Sequence, residues 1–307
     1  MRAVVFAYHN VGYRCLSVLL AHGIEIALVV THEDNPSEQI WFESVEALAR
    51  THRLPVLKPA DPNTERFVAK VAALKPDLLF SFYYRFMLGS ALLETPAAGA
   101  LNMHGSLLPR YRGRVPVNWA VIKGERETGA TLHYMVEKPD AGDIVAQQAV
   151  PILPDDTAFD VFTKVTVAAE LALDRVLPAL RAGTAPRVPQ DLSRGSYFGG
   201  RKPEDGRIHW GSSAAEIHNL VRGVAPPYPG AFSDVGGKRV RVLRSLLAPD
   251  HARRIGYPAL YCADGRCYAE CGDGNALSIL SMEVDGTMLD QRSFERIGAA
   301  AEIALPN

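Results

Sequence analysis

Through roughly its first 180 residues the chain alternates short apolar, β-branched runs with longer segments of helical spacing. Arg2–Tyr8 and Ile24–Thr31 are apolar runs that bracket a helical stretch, Gly12–His22. Trp41–His52 follows with Val45, Leu48 and Ala49 spaced on one face. Pro55–Leu57 reads as short and extended, Glu65–Leu74 as helix, Asp77–Tyr84 as a buried strand and Ala100–His104 as the next strand. Parallel strands need long crossovers and are covered on both faces, so this alternation predicts βαβ units and a Rossmann-like, mostly parallel sheet. In such sheets ligands sit outside the carboxyl ends of the strands. Tyr8-His9-Asn10, Ser81–Arg85 and Asn102–Gly105 converge there.

A dinucleotide site is the obvious occupant of that edge. The first turn reads Tyr8-His9-Asn10-Val11-Gly12, with neither G-x-G-x-x-G nor a Walker lysine, so no NAD is assigned. Thr157–Ala182 is a long helical pattern stopped by Gly183-Thr184-Ala185-Pro186. Past Ile208 the text changes to one helix, Ser213–Val224, and then short alternating strands: Ala231–Val235, Arg239–Leu246, Ala259–Tyr261, Cys267–Glu270 and Ala276–Met282. Turns such as Gly236-Gly237 separate them, as in a small antiparallel barrel. The expected organisation is a catalytic α/β domain over residues 1–186, a linker over 187–206 and a β domain over 207–307.

A length of 307 residues with 48% hydrophobic composition suffices for two such cores. The 33 Lys and Arg against 34 Asp and Glu leave no basic field for nucleic acid. The N-terminus lacks the pattern of a signal peptide and no run of 18 apolar residues occurs, so a cytoplasmic protein with no membrane insertion is expected. Cys262, Cys267 and Cys271 do not have zinc-site spacing, and no metal is expected. With Cys15 they read as reduced, buried residues. Whether the chain forms a homo-oligomer is open.

The chemistry sits in Asn102-Met103-His104 and Asp140. Residues i and i+2 of a strand face the same way, so Asn102 and His104 project together, and a carboxylate from Asp140 can complete the group. Acyl transfer to an amine needs an amide that steadies the oxyanion, an imidazole that moves the proton and a carboxylate that sets the imidazole tautomer and raises its pKa. An ordinary core histidine and a turn aspartate are the plain alternatives. His9, His133 and His218 read as structural.

The surrounding text is Asn102-Met103-His104-Gly105-Ser106-Leu107-Leu108-Pro109, then Arg110-Tyr111-Arg112-Gly113-Arg114-Val115-Pro116, then Asp140-Ala141-Gly142-Asp143. It resembles the signature of the N10-formyltetrahydrofolate-dependent formyltransferases. The resemblance implies the formyltransferase fold with an OB-like C-terminal domain, and a folate cosubstrate in place of NAD. It implies catalysis by Asn102, His104 and Asp140. It also implies a folate pocket built largely from backbone on Phe86, Met87, Leu88 and on Val136, Glu137, Lys138, Pro139 and Asp140, with Arg114 on the folate side.

For the acceptor, Thr31–Gln39 holds three acidic residues and no Lys or Arg, unlike the basic inserted loop that methionyl-tRNA formyltransferases use on tRNA. This stretch, with Phe80–Arg85, Arg112–Trp119, Phe198–Asp205 and Pro227–Ser233, resembles the formyltransferase domain acting on UDP-4-amino-4-deoxy-L-arabinose in the lipid A modification route. In that relative the domain is fused to a UDP-glucuronate decarboxylase, and whether this chain stands alone is open. The resemblance implies a UDP-aminosugar partner, placed beside Asn10, Asn118 and Arg201. The alternatives are a methionyl-tRNA formyltransferase and a folate-binding relative without catalysis.

Overall fold

A run of apolar side chains becomes a central strand only where both faces are covered, and β1 (Arg2–Ala7) and β4 (Leu78–Phe82) have that burial: Ala3 to Ala7 and every residue of β4 are buried. The structure, a computed structural model, describes residues 1–36, 38–263, 265–289 and 302–306. The chain falls into two compact units. The first comprises Met1–Pro116, Glu127–Pro151 and Phe162–Gly199, and the second Val117–Arg126, Ile152–Val161 and Gly200–Asn307.

In the first unit β1 leads through α1 (His9–Ala21) to β2 (Glu25–Val30), then α2 (Val45–Thr51), β3 (Val56–Leu57), α3 (Glu65–Ala73), β4, α4 (Ser90–Leu93) and β5 (Ala100–His104). These five strands pair in parallel in the order β3-β2-β1-β4-β5, so the strand order reverses at β1. Helix α1 buries Val11, Gly12, Cys15, Leu16, Val18 and Leu19, one stripe of a 3.6-residue period. It begins at His9, earlier than the apolar pattern marks, because Tyr8 is still extended there. Helix α2 starts later than its periodicity suggests. Ser44 Oγ accepts from Ala47 N at 3.2 Å and caps it, which leaves Trp41 and Phe42 in the preceding loop.

After β6 (Arg112–Gly113) and α5 (Pro116–Ile122), β7 (Glu127–Tyr134) and β8 (Ile144–Pro151) extend the same sheet as an antiparallel hairpin beside β5. Sequence periodicity did not mark this pair. α6 (Ala158–Ala182) follows, and β9 (Tyr197–Phe198) pairs with β6. Residues 187–199, read as linker, belong to this first unit: Val188 and Ile144 exchange backbone hydrogen bonds at 2.8 and 2.9 Å.

The second unit carries α7 (Ala214–Gly223), started by a reciprocal Ser213–Glu216 capping box. Its sheet is built from β10 (Ala231–Val235), β11 (Lys238–Leu247), β12 (Ala259–Ala263), β13 (Arg266–Glu270), β14 (Ala276–Val284), β15 (Thr287–Leu289) and β16 (Glu302–Ala304). The order is β10-β11-β14-β13-β12-β16, with β15 on β14 and all ladders antiparallel. Among the described residues β10 and β16 do not pair, so the expected barrel is a curled half-barrel. Its core joins Trp210, Ile217, Val221, Val240, Leu277 and Ile279. Asp264, residues 290–301 and Asn307 of the expected 207–307 domain lie outside the described residues. Cys15, Cys267 and Cys271 are buried and free, whereas Cys262 is exposed on the β12–β13 hairpin rather than buried.

Candidate active site

Strand β5 ends the run of parallel strands, and its last residues, Asn102 and His104, share a face. Antiparallel pairing sets His133 of β7 directly opposite Asn102 and Thr131 opposite His104. Opposed residues of an antiparallel pair meet on the same face, so Asn102 Nδ2 lies 3.1 Å from His133 Nε2. His133 Nδ1 lies 2.8 Å from the Tyr134 carbonyl. A carbonyl only accepts, so the Nδ1 position carries a proton, and Nε2 faces the Asn102 amide. Among the described residues nothing takes the second N–H of Asn102.

Asp140 comes from the loop between β7 and β8, with a left-handed φ of 53°. Its Oδ1 lies 3.5 Å from both His104 Nδ1 and His133 Nε2. Its Oδ2 accepts from Gly113 N at 2.8 Å. The turn behind it demands glycine: a Cβ on Gly142 would overlap the Tyr134 carbonyl oxygen.

The Ser106–Tyr111 loop is held by buried and part-buried polar bonds. Thr131 Oγ1 donates to Ser106 O at 2.6 Å, and Gln147 Nε2 donates to Leu108 O at 2.8 Å and Thr131 Oγ1 at 2.9 Å. Ser106 Oγ donates to Arg110 O at 2.6 Å. The loop turns at Tyr111, whose φ is 57° and whose carbonyl accepts from His104 Nε2 at 2.7 Å. His104 Nε2 therefore bears the ring proton, and in the neutral ring the lone pair is on Nδ1, towards Asp140.

Electrostatics follow from burial. His104 is 6% exposed, and burial holds its pKa below the ordinary histidine value. Asp140 and the Tyr111 carbonyl act in the opposite direction and are outweighed, while His133 adds to the lowering. The expected elevation of the His104 pKa by Asp140 is thus reversed in its net sign. Burial alone would push the Asp140 carboxyl up, but the His104 and His133 rings and the Gly113 N–H together bring it down to about 2. A neutral imidazole beside an ionised carboxylate results.

Asn102, His104 and Asp140 therefore come together, and His133 joins them. The signal for His133 was its buried polar alternation with Thr131 in an apolar strand, and its meaning depends on the β5–β7 register. Of the expected folate-side residues, Phe86 and Met87 are 43% and 64% exposed and Val136 is 46% exposed. Glu137 and Lys138 are exposed and Pro139 is half-buried. Leu88 is buried in the core with Leu92 and Ala100, which leaves only its backbone for a ligand. Asn63 holds that loop from behind, donating to Met87 O at 2.9 Å and accepting from Gly89 N at 2.7 Å. Arg114 is exposed, its backbone N–H held by Phe198 O at 2.9 Å. In the first unit Asn10 Oδ1 accepts from Glu43 N at 2.8 Å. In the second, Asn118 is buried and donates to Gly223 O at 2.9 Å, a structural engagement, and the Arg201 guanidinium lies 5.0 Å from the Trp119 ring. Among the described residues no group of three or more His, Cys, Asp or Glu side chains forms that could hold a metal ion, and no helix is long and apolar enough to cross a membrane.

The end of β5 in this Rossmann-like sheet thus brings an amide and an imidazole beside a carboxylate from the β7–β8 loop. A family profile described as Formyl transferase matches residues 2–177, and one described as Formyl transferase, C-terminal domain, matches residues 201–296. The chain belongs to the formyl transferase family, and by that membership is a formyltetrahydrofolate-dependent N-formyltransferase. Its fold resembles that of an N-formyltransferase from Helicobacter canadensis, solved with folinic acid and dTDP-3-aminofucose (20% identity, 91% of this chain and 98% of that one, TM-score 0.69). It also resembles WlaRD, a sugar 3N-formyltransferase solved with dTDP and 5-N-formyl-THF (19% identity, 91% and 96% covered, TM-score 0.67). A 4-N formyltransferase from Francisella tularensis shares the fold as well (20% identity, 75% and 91% covered, TM-score 0.61).

Proposed function

We propose that the chain transfers the formyl group of N10-formyltetrahydrofolate to the amine of a nucleotide-linked aminosugar, and that the acceptor is UDP-4-amino-4-deoxy-L-arabinose. The reaction rests on one observation: a neutral imidazole whose Nδ1 lone pair faces the Asp140 carboxylate, two residues along a strand from an amide with an uncommitted N–H. The amine lone pair forms the new N–C bond, and the carbonyl π pair moves to oxygen, where Asn102 donates. As the bond from carbon to N10 breaks, its electron pair returns to N10. The proton lost by the attacking nitrogen passes through His104 Nδ1 to N10. Protonated His104 then lies between the Tyr111 carbonyl and the Asp140 carboxylate, both of which favour the cation. The burial that lowers its pKa keeps the resting ring unprotonated and able to act as base near neutrality. Exposed Phe86, Met87 and Val136 fit a planar pterin laid against backbone.

For the acceptor, the Thr31–Gln39 loop offers no cation to a polyphosphate chain, and its acids are paired within the protein. Glu33 meets Lys58 at 2.9 Å, Asp34 accepts from Tyr8 Oη at 2.7 Å, and Glu38 holds Arg85 through two bonds of 2.7 Å. Ser37 lies outside the described residues. A tRNA acceptor is thereby disfavoured. Ligands of the solved relatives support a nucleotide sugar, and the stretches resembling the arabinose-specific domain support UDP-4-amino-4-deoxy-L-arabinose. The test is an assay with N10-formyltetrahydrofolate and a panel of UDP- and dTDP-aminosugars beside methionyl-tRNA. Formylated UDP-4-amino-4-deoxy-L-arabinose is expected; product from the tRNA alone would overturn the acceptor.

A further inference from the structure

His104 is gripped by two partners, the Tyr111 carbonyl and the Asp140 carboxylate, and one segment outside the catalytic loops reaches both. Residues 187–198 are registered on β8 by the Val188–Ile144 pair, and the Arg187 guanidinium lies 3.7 Å from the Tyr134 ring. On one side Ser196 Oγ accepts from Tyr111 N at 2.9 Å, and Phe198 stacks on the Tyr111 ring at 5.1 Å. On the other, Gln190 Nε2 donates to Asp140 O at 3.0 Å and to Gly142 O at 2.6 Å. Both acceptors are carbonyls, so the amide orientation is forced.

We propose that Gln190 is a positioning residue: by tying the Asp140 and Gly142 carbonyls together it holds Asp140 in its left-handed conformation and aims the carboxylate at His104. Three features carry this. Asp140 is a non-glycine residue at a φ of 53°, a conformation that persists only where its surroundings over-determine it. Gly113 N–H holds the carboxylate itself, but among the described residues the two bonds from Gln190 are the side-chain hydrogen bonds made to the backbone of the turn. Among the described residues Gln190 Oε1 is buried without a hydrogen-bond partner, an uncompensated acceptor that the orientation imposed by the two carbonyls explains.

The proposal rests on the reading of His104 and Asp140 as the proton-handling pair, and its deciding readout, a titration, needs no acceptor. The His104 ring is followed by NMR titration of histidine-labelled protein, in wild type, Gln190→Met, Asp140→Asn and the double variant. The charged and titratable groups facing that ring are Asp140 and His133. Asp140 raises the proton affinity of His104, so in Gln190→Met the midpoint should fall towards that of Asp140→Asn. In the Asp140→Asn background the same substitution should add nothing. In turnover, kcat should fall about 10-fold, a typical effect of slight misplacement, with the melting temperature near that of wild type. A folded Gln190→Met protein with an unmoved His104 midpoint would overturn the proposal, since a residue that only braces the segment would change stability and not the titration. If the Met variant does not fold, Gln190→Asn, which keeps the amide but is one methylene short, serves in its place with the same outcomes. Wild-type protein that formylates no aminosugar would refute the function while leaving the titration result standing.

Discussion

Gly105→Ala tests how tightly the end of β5 is packed. A Cβ at residue 105 would overlap Tyr83 Oη, lie 3.1 Å from Tyr83 Cζ and come within 3.5 Å of Pro116 Cγ. Tyr83 cannot swing away freely. Its φ is 56°, and its ring lies 5.8 Å from that of Phe162 and 6.4 Å from that of His9. Forcing one methyl into such a site costs about 2 kcal/mol, from the usual 1–3 for overpacking. Tyr83→Phe removes the overlapping oxygen and leaves Cζ at 3.1 Å, a contact short by only a few tenths of an ångström. The double variant should therefore recover about 1–2 kcal/mol relative to the sum of the singles. Urea unfolding gives the four free energies, with an unchanged m-value as the check that only stability moved. Additive losses, or a Gly105→Ala cost within about 0.5 kcal/mol of zero, would refute the steric account, since that is the ordinary scatter of neutral sites.

His104→Ala and Asp140→Ala should abolish turnover while folate binding survives. Asn102→Ala should lower kcat by about 10²–10³, the usual cost of one oxyanion donor; stopped assays with equilibrium folate titration check all three, and near-normal turnover in any would sink the assigned roles. Acid should destabilise the first unit early. Burial keeps the His9 pKa down at about 3 and that of His32 at about 4, whereas both begin near 6.5 when unfolded. A depressed histidine pKa contributes stability fully present above 6.5 and lost as pH falls below it. For His9 alone that loss reaches about 2 kcal/mol between pH 6.5 and 5. Asp140, depressed to about 2, contributes stability that is fully present above its ordinary value of 3.8 and is lost as pH falls from there towards 2. Urea midpoints that stay flat from pH 7 to 5 would contradict the burial of these rings.

The parallel half of the sheet was legible because β1, β2 and β4 are largely apolar runs, and such runs occur where helices cover both faces. The β7–β8 hairpin was not. β8 reads Ile144-Val145-Ala146-Gln147-Gln148-Ala149-Val150-Pro151 with one face open, and its partner carries the polar residues Thr131 and His133 inward. Sequence spacing marked Asn102 and His104 as neighbours because strand geometry is local. It could not mark His133, which meets Asn102 only through an antiparallel register set 31 residues away. Asn118 stands near the site motif in sequence, and only the fold shows its buried amide donating to Gly223 O.

The sequence by itself determined the fold class and the chemical group at the end of β5, since both depend on periodicity and on residue types a few positions apart. Resemblance to the formyltransferases supplied the donor. Only the tertiary structure decided the sign of the His104 pKa shift, because burial and the carboxylate act in opposite directions and their balance depends on how much water the fold excludes. It alone also turned a stretch that read as linker into the support of Asp140. Gln190 is 50 residues from the turn it holds, and hydrogen bonds across that span exist only once the sheet is assembled.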